Sequence, residues 1–335
     1  MASGKRHPDL TKQMVNHATE EILIALTFDL DPDSFDSSIG AHRTDKMSWR
    51  GIEEGVPAIL DVLEKVGSGT DGRPRATWFV RADDHVAEVC GHAAALFERY
   101  GGLLRSLAQS GDEIGWHPNL YRRNGDRWEV ETDDASMASQ LSRGAEALRA
   151  RGWQPRCSRM GENLGSNKIM QTLEELGFEF DSSAMPGRRR DDEERCFDWM
   201  DTPAEPYRPA RSDYRRPGEP SFAITEVPMT MTPVKADYDA APLKRYIDLA
   251  FHSRALTEGL SHCLKEAKMV MTVSHPSCVL PDIVRQPHGL LSFDIHAFAQ
   301  NLRQILDDCD RLGRRARFVT LSEAARAFLP AGQLV

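Results

Sequence analysis

Residues 22–34 read ILIALTFDLDPDS. Ile22 to Leu26 are apolar without alternation, the pattern of a strand covered on both faces. Three carboxylates, Asp29, Asp31 and Asp33, follow within five residues. Asp-Pro-Asp at 31–33 suits a turn or a helix N-cap. It equally suits a place where carboxylates hold something positive. What the rest of the chain brings to the same end of the fold decides between them.

Outward from that strand a rhythm repeats. Residues 49–67 read as a helix closed by a glycine, 75–80 as a strand, and 85–109 as a helix broken at Gly101-Gly102. Strands follow at 112–116, 154–159 and 178–183, with helices at 134–151 and 166–177 between them. Further on come strands at 221–228, 268–274 and 317–323 and helices around 241–266 and 294–312. A β-α unit that recurs about seven times predicts an α/β fold, a distorted (β/α) barrel with about seven parallel strands. One domain is expected over 1–335, with its core at about 22–328. Residues 184–220, rich in Arg, Asp and Pro, read as a surface excursion.

The 335 residues are 40% hydrophobic and 28% charged, with a net charge of −9. That balance argues against a nucleic-acid binder. The basic run Arg188-Arg189-Arg190 is followed at once by Asp191, Asp192, Glu193 and Glu194, and reads as a solvated, self-compensating loop. There is no run long enough for a membrane span and no signal-peptide core at the N-terminus. The six cysteines show no metal-site spacing. A cytoplasmic protein with free thiols is the expectation, acting on a small-molecule or glycan substrate, and a homo-oligomer is compatible with the sequence.

In parallel α/β folds chemistry gathers at the carboxyl ends of strands. Those ends carry Asp29 and Asp31, then Arg81, Asp83, Asp84 and His85, then His117, Arg159, Asp181, Glu226 and His275. A hydrolytic metal site wants carboxylate and imidazole ligands with room for water. It also wants a carboxylate to accept a proton and an imidazolium to give one. Asp29, Asp31, His117, Arg159 and His275 are the residue types required. Trp78, Phe79 and Trp116 read as core or rim packing, and Met229-Thr230-Met231 as cavity wall.

These motifs, in this order, resemble the NodB-type polysaccharide deacetylases of carbohydrate esterase family four, over roughly residues 22–328. "LTFDLD" looks like the family's first motif, which implies Asp29 as base and Asp31 as metal ligand. "GDEIGWHP" looks like the second, which implies His117 as a ligand. Arg159 in "SRMGENLG" matches the arginine that orients the base, and His275 in "TVSHP" the general acid. The family's second metal histidine has no counterpart here: the chain reads His117-Pro118-Asn119-Leu120-Tyr121. Asn119 is the expected third ligand, Tyr121 the second choice, and His42, His85 or His288 remote alternatives. The fourth motif, an Asp and Trp beside the acid histidine, is matched only loosely by Asp198 and Trp199. The resemblance implies metal-dependent N-deacetylation of a sugar or sugar precursor, with zinc, or manganese, cobalt or magnesium. The alternatives are an allantoinase-like amidohydrolase on a small amide or ureide, and a non-catalytic barrel that binds a glycan or protein.

Overall fold

The computed structural model describes residues 20–33, 45, 47–68, 72–191, 195–235, 239–251, 253–280 and 293–329. Its spine is the strand Glu20–Leu30, buried without interruption from Ile22 onward. Ile22, Ile24, Leu26 and Phe28 are all within 1% of complete burial. Each such side chain contributes roughly 1.5–3 kcal/mol when taken out of water, so this one strand anchors the core. Its length lets it hold two neighbours on one edge. Arg314–Phe318 pairs with its first half, Glu20 to Ile24, and Ala76–Arg81 with its second, Leu26 to Leu30. Met269–Ser274 runs along the other edge.

From Ala76–Arg81 the sheet continues through Glu113–His117, Cys157–Ser158 and Phe180–Asp181 to Thr225–Glu226, every pair parallel. Seven parallel strands in this order, with Arg314–Phe318 beside the first, make a curled half-barrel, a distorted (β/α) barrel. Because all run the same way, their carboxyl ends share one rim. The helices between them begin on side-chain caps. Asp133, Ser166, Asp294 and Thr320 each accept a hydrogen bond from a backbone N–H of the turn that follows. Among the described residues no helix is long and apolar enough to cross a membrane.

Several elements differ from the sequence expectation, each for a local reason. The stretch 241–266 is not one helix: Leu243–Tyr246 pairs antiparallel with Met231–Val234, and the helix starts only at Ser253. The last strand ends at Phe318, because Thr320 and Glu323 form a capping box that opens the helix Leu321–Phe328. Between 85 and 109 the helix breaks twice, at Gly91, whose φ of 93° ends Asp84–Cys90, and at Tyr100, which ends Ala95–Arg99. Gly101 and Gly102 then open the helix Gly101–Gln109, close to the expected break. Within 184–220 lie antiparallel hairpins, Arg189–Asp191 with Cys196–Asp198 and Pro209–Ala210 with Asp213–Pro217.

Candidate active site

Asp29 and Asp31 leave the end of the first strand, His117 ends the third, Arg159 follows Ser158, and His275 follows Ser274. All four points lie on the barrel's carboxyl rim, and the structure brings them together. Asp29, Asp31, His117, Asn119, Arg159 and His275 line one cavity of ≈ 570 Å³, with Glu162, Asn163, Arg195, Met229 and Tyr246 among its other walls. Every one of the six is at least nine-tenths buried.

Arg159 fixes Asp29. Its Nη1 donates to Asp29 Oδ1 at 2.8 Å and to Thr27 Oγ1 at 2.9 Å. Its Nε and Nη2 donate to the carbonyl and hydroxyl of Ser182, and the guanidinium lies 4.3 Å from the centre of the Phe79 ring. Phe79 can lie there because the facing strand carries Gly115, where a Cβ would stand 2.5 Å from the ring. Rotation of Arg159 would break several of these contacts at once, so the carboxylate it holds is fixed too.

His117 donates from Nδ1 to the Arg159 carbonyl at 2.7 Å, which turns Nε2 toward the cavity, 3.3 Å from Asp31 Oδ2. Burial opposes charge on this ring. The carboxylates of Asp31 and Asp29 and the hydrogen bond to Asp31 outweigh it and push its pKa up to about 9. His275 Nε2 stands 3.7 Å from Asp31 Oδ2 and 4.0 Å from Asp29 Oδ2. Arg81, fully buried, brings Nη1 to 3.7 Å from Asp31 Oδ1 from behind the site. Its Nε donates to Asp83 and its Nη2 to His85 Nδ1.

The stretch after His117 is used in two ways. The amide of Asn119 is on the cavity wall, pressed against Gly161, where a Cβ would stand 1.8 Å from its oxygen. Its Nδ2 has no hydrogen-bond partner among the described residues. Tyr121 is not on the wall. Its hydroxyl donates to Glu162 Oε1 at 2.9 Å, while Arg195 Nε approaches Glu162 Oε2 at 3.0 Å. Glu162 and Asn163 are consecutive non-glycine residues with φ of 54° and 56°. Such backbone costs on the order of 1–3 kcal/mol per residue, more for Glu than for Asn. Tyr121 and Arg195 brace it. His85 lies behind Arg81 against Trp128; His42 and His288 fall outside the described residues.

Sequence reasoning gave Arg81 no role and missed Asp248 altogether. Asp248 sits in "YIDLA", inside the stretch read as helix. It is fully buried and within 4.8 Å of a ring nitrogen of His275 and of Cys278 Sγ. Ser274 Oγ and the Ala250 N–H donate to its Oδ1. Burial still pushes its pKa up to about 7. Asp198 and Trp199 do other work. Asp198 pairs with Arg215 at 2.8 Å, and Trp199 Nε1 donates to the Asn163 carbonyl. Trp78, Trp116 and Phe79 are core, as expected, and Met229 is cavity wall.

No protein-family model matches the chain. Among solved structures it is similar to a candidate polysaccharide deacetylase from Mycobacterium smegmatis, at 18% identity and a TM-score of 0.52, over 97% of this chain and 93% of that one. A family 4 carbohydrate esterase from Streptomyces lividans, solved with acetate, aligns at 12% identity and a TM-score of 0.39, over 90% and 95%. A carbohydrate esterase family four pseudoenzyme from Bacillus anthracis aligns at 11% and 0.42, over 92% and 66%. Matched over nearly the full length of the mycobacterial structure, the curled half-barrel of seven parallel strands gives this chain the fold of the NodB-type polysaccharide deacetylases.

Proposed function

We propose that the cavity hydrolyses an amide C–N bond, and that the bond is the N-acetyl linkage of a sugar or sugar precursor. The observation that carries this reading is the pairing of a carboxylate locked by Arg159 with an imidazole nitrogen 4.0 Å away, in one buried cavity.

The fold family implies a divalent metal, and the residues fit one. His117 Nε2 and Asp31 Oδ2 converge, and His117 is oriented by its Nδ1 bond to a carbonyl, the usual support for a ligating imidazole. The partnerless Nδ2 of Asn119 supplies the third position. The nitrogen and oxygen of an amide can be exchanged by a half-turn, which puts a carbonyl oxygen there. Asp31, His117 and Asn119 would hold the ion, with an oxygen-rich set that accepts manganese or magnesium as well as zinc. Bound there, the ion supplies an acidified water and a polarised carbonyl.

The chain's own groups do the rest. Asp29 accepts the proton of the attacking water, and Arg159 keeps that carboxylate aimed. His275 gives a proton to the departing nitrogen. Asp248 lies behind His275, within 4.8 Å of one of its ring nitrogens.

The reading is tested by acetate release from N-acetylated sugars by protein supplied with zinc, cobalt or manganese. Asp29→Asn is expected to lower turnover by about 10²–10⁴-fold while metal content holds. Wild-type turnover in Asp29→Asn overturns the assignment of the base. One observation favours a second reading, a non-catalytic binding barrel. Arg81 already places a permanent positive charge 3.7 Å from Asp31. A chain that binds N-acetyl sugars but takes up no metal would support that reading.

A further inference from the structure

Asp31 serves two neighbours with its two oxygens. Oδ2 faces the rim, 3.3 Å from His117 Nε2 and 3.7 Å from His275 Nε2. Oδ1 meets Arg81, 3.7 Å from its Nη1. The sheet places that arginine. Arg81 ends the strand Ala76–Arg81 and stands in register with His117 on the neighbouring strand, so the two side chains leave the same face. Phe79 and Gly115 pair two residues earlier on that face, where Phe79 supports Arg159.

Arg81 is held where it stands. It is fully buried, its Nε donates to Asp83 Oδ2 at 2.8 Å, and its Nη2 donates to His85 Nδ1 at 2.9 Å. Nη1, the arm nearest Asp31, makes no hydrogen bond among the described residues. Asp83 offsets part of the charge, but its oxygens also serve the N–H groups of Val86 and Asn119. A guanidinium stays protonated at any working pH, so a permanent cation stands behind the carboxylate. Buried ion pairs often stabilise a fold no better than apolar side chains of similar volume, so packing alone gives no reason for a charge here. What the charge does is compete. A second cation brought to Oδ2 shares the carboxylate with Arg81 and is repelled by it, and burial leaves that repulsion weakly screened.

We propose that Arg81 is a positioning residue that engages Asp31 Oδ1 and holds down the affinity of the rim for its divalent ion, so that the ion exchanges with solution rather than staying resident. Asp31 then meets the ion through Oδ2, and occupancy follows the supply of free metal. The proposal rests on the amide-hydrolysis reading for the presence of an ion at Asp31 and His117, but its test does not require turnover.

The experiment is calorimetric titration of the full chain with zinc alone and with manganese alone, in the wild type, Arg81→Met, Arg81→Gln and Arg81→Lys, each checked for folding by circular dichroism. Arg81→Gln keeps a donor for Asp83, so the two neutral variants do not share one way of failing to fold. The neutral variants are expected to bind each ion about tenfold or more tightly than the wild type and to lose it more slowly to a chelator. Arg81→Lys, which keeps the charge, is expected to stay within about threefold of the wild type. A purely structural role gives the opposite sign, because a loosened Asp31 binds metal worse. Equal or weaker binding in the neutral variants, or tightening of the same size in Arg81→Lys, overturns the proposal and leaves the hydrolase reading untouched. A wild type that takes up no metal beside neutral variants that do leaves the proposal standing and counts against the hydrolase reading alone. No metal in any of the four chains overturns both.

Discussion

Asp248 is buried where a carboxylate is costly, and its own hydrogen bonds only partly offset that cost. Its pKa in the folded chain is about 7, above the ordinary 3.8. The folded state therefore binds a proton that the unfolded state releases earlier. Stability from this group is complete at low pH and is lost as pH rises through about 7. Asp248→Asn keeps the shape and removes the titration. Thermal melts from pH 5 to 9 are expected to show the wild type losing roughly 3 kcal/mol of stability up to about pH 7 and little beyond it, and the variant staying flatter. Parallel curves for the two contradict the assignment. At Asn119 the expected change is in metal affinity. Asn119→His places an imidazole where an amide stands and is expected to tighten zinc binding by about tenfold or more. Tyr121→His is expected not to, because Tyr121 braces Glu162. Tighter binding only in the Tyr121 variant would move the third ligand there. Asp29, Asp31, His117, Arg159 and His275 were legible in the sequence because each stands at or just after a strand's end. Asp248 was not, because it follows a short hairpin whose pattern imitates a helix.

At the scale of elements, the strands Phe180–Asp181 and Thr225–Glu226 place two acids in direct register, both fully buried. Burial pushes both carboxyls up, and the Asp181 charge pushes Glu226 further. Of the two, Glu226 is pushed further toward its protonated form, while Ser158 donates to Asp181 and the Ala184 N–H to Glu226. The sign is that of Asp248: stability holds at low pH and is lost as pH rises through the elevated pKa. Glu226→Gln keeps a donor and is expected to reduce the alkaline loss. Glu226→Ala strands the Ala184 N–H and is expected to cost roughly 1–3 kcal/mol by chemical denaturation at neutral pH. An alkaline loss of wild-type size in Glu226→Gln contradicts the raised carboxyl assigned to Glu226. The buried strands were legible as unbroken apolar runs. Element ends were not, where a capping box at Thr320 or a cross-strand partner for Leu243–Tyr246 outweighed local pattern.

At the scale of the molecule, the β-α repeat carried the architecture, because a parallel sheet must cover both faces and so writes itself as apolar runs at regular spacing. The charge pattern carried over in part: Arg189 faces Asp191 at 3.9 Å. Arg188 and Asp191 are neighbours in the chain, yet Arg188 packs on Lys244. The central claim is that the rim where the strands end holds one divalent ion between Asp31 and His117. The most direct measurement is zinc titration followed by elemental analysis of the full chain. The expected result is one zinc per chain in the wild type and in Asp29→Asn, and far less in Asp31→Ala and His117→Ala. A wild-type chain that stays metal-free when supplied with zinc, cobalt or manganese contradicts it, as does full occupancy in Asp31→Ala.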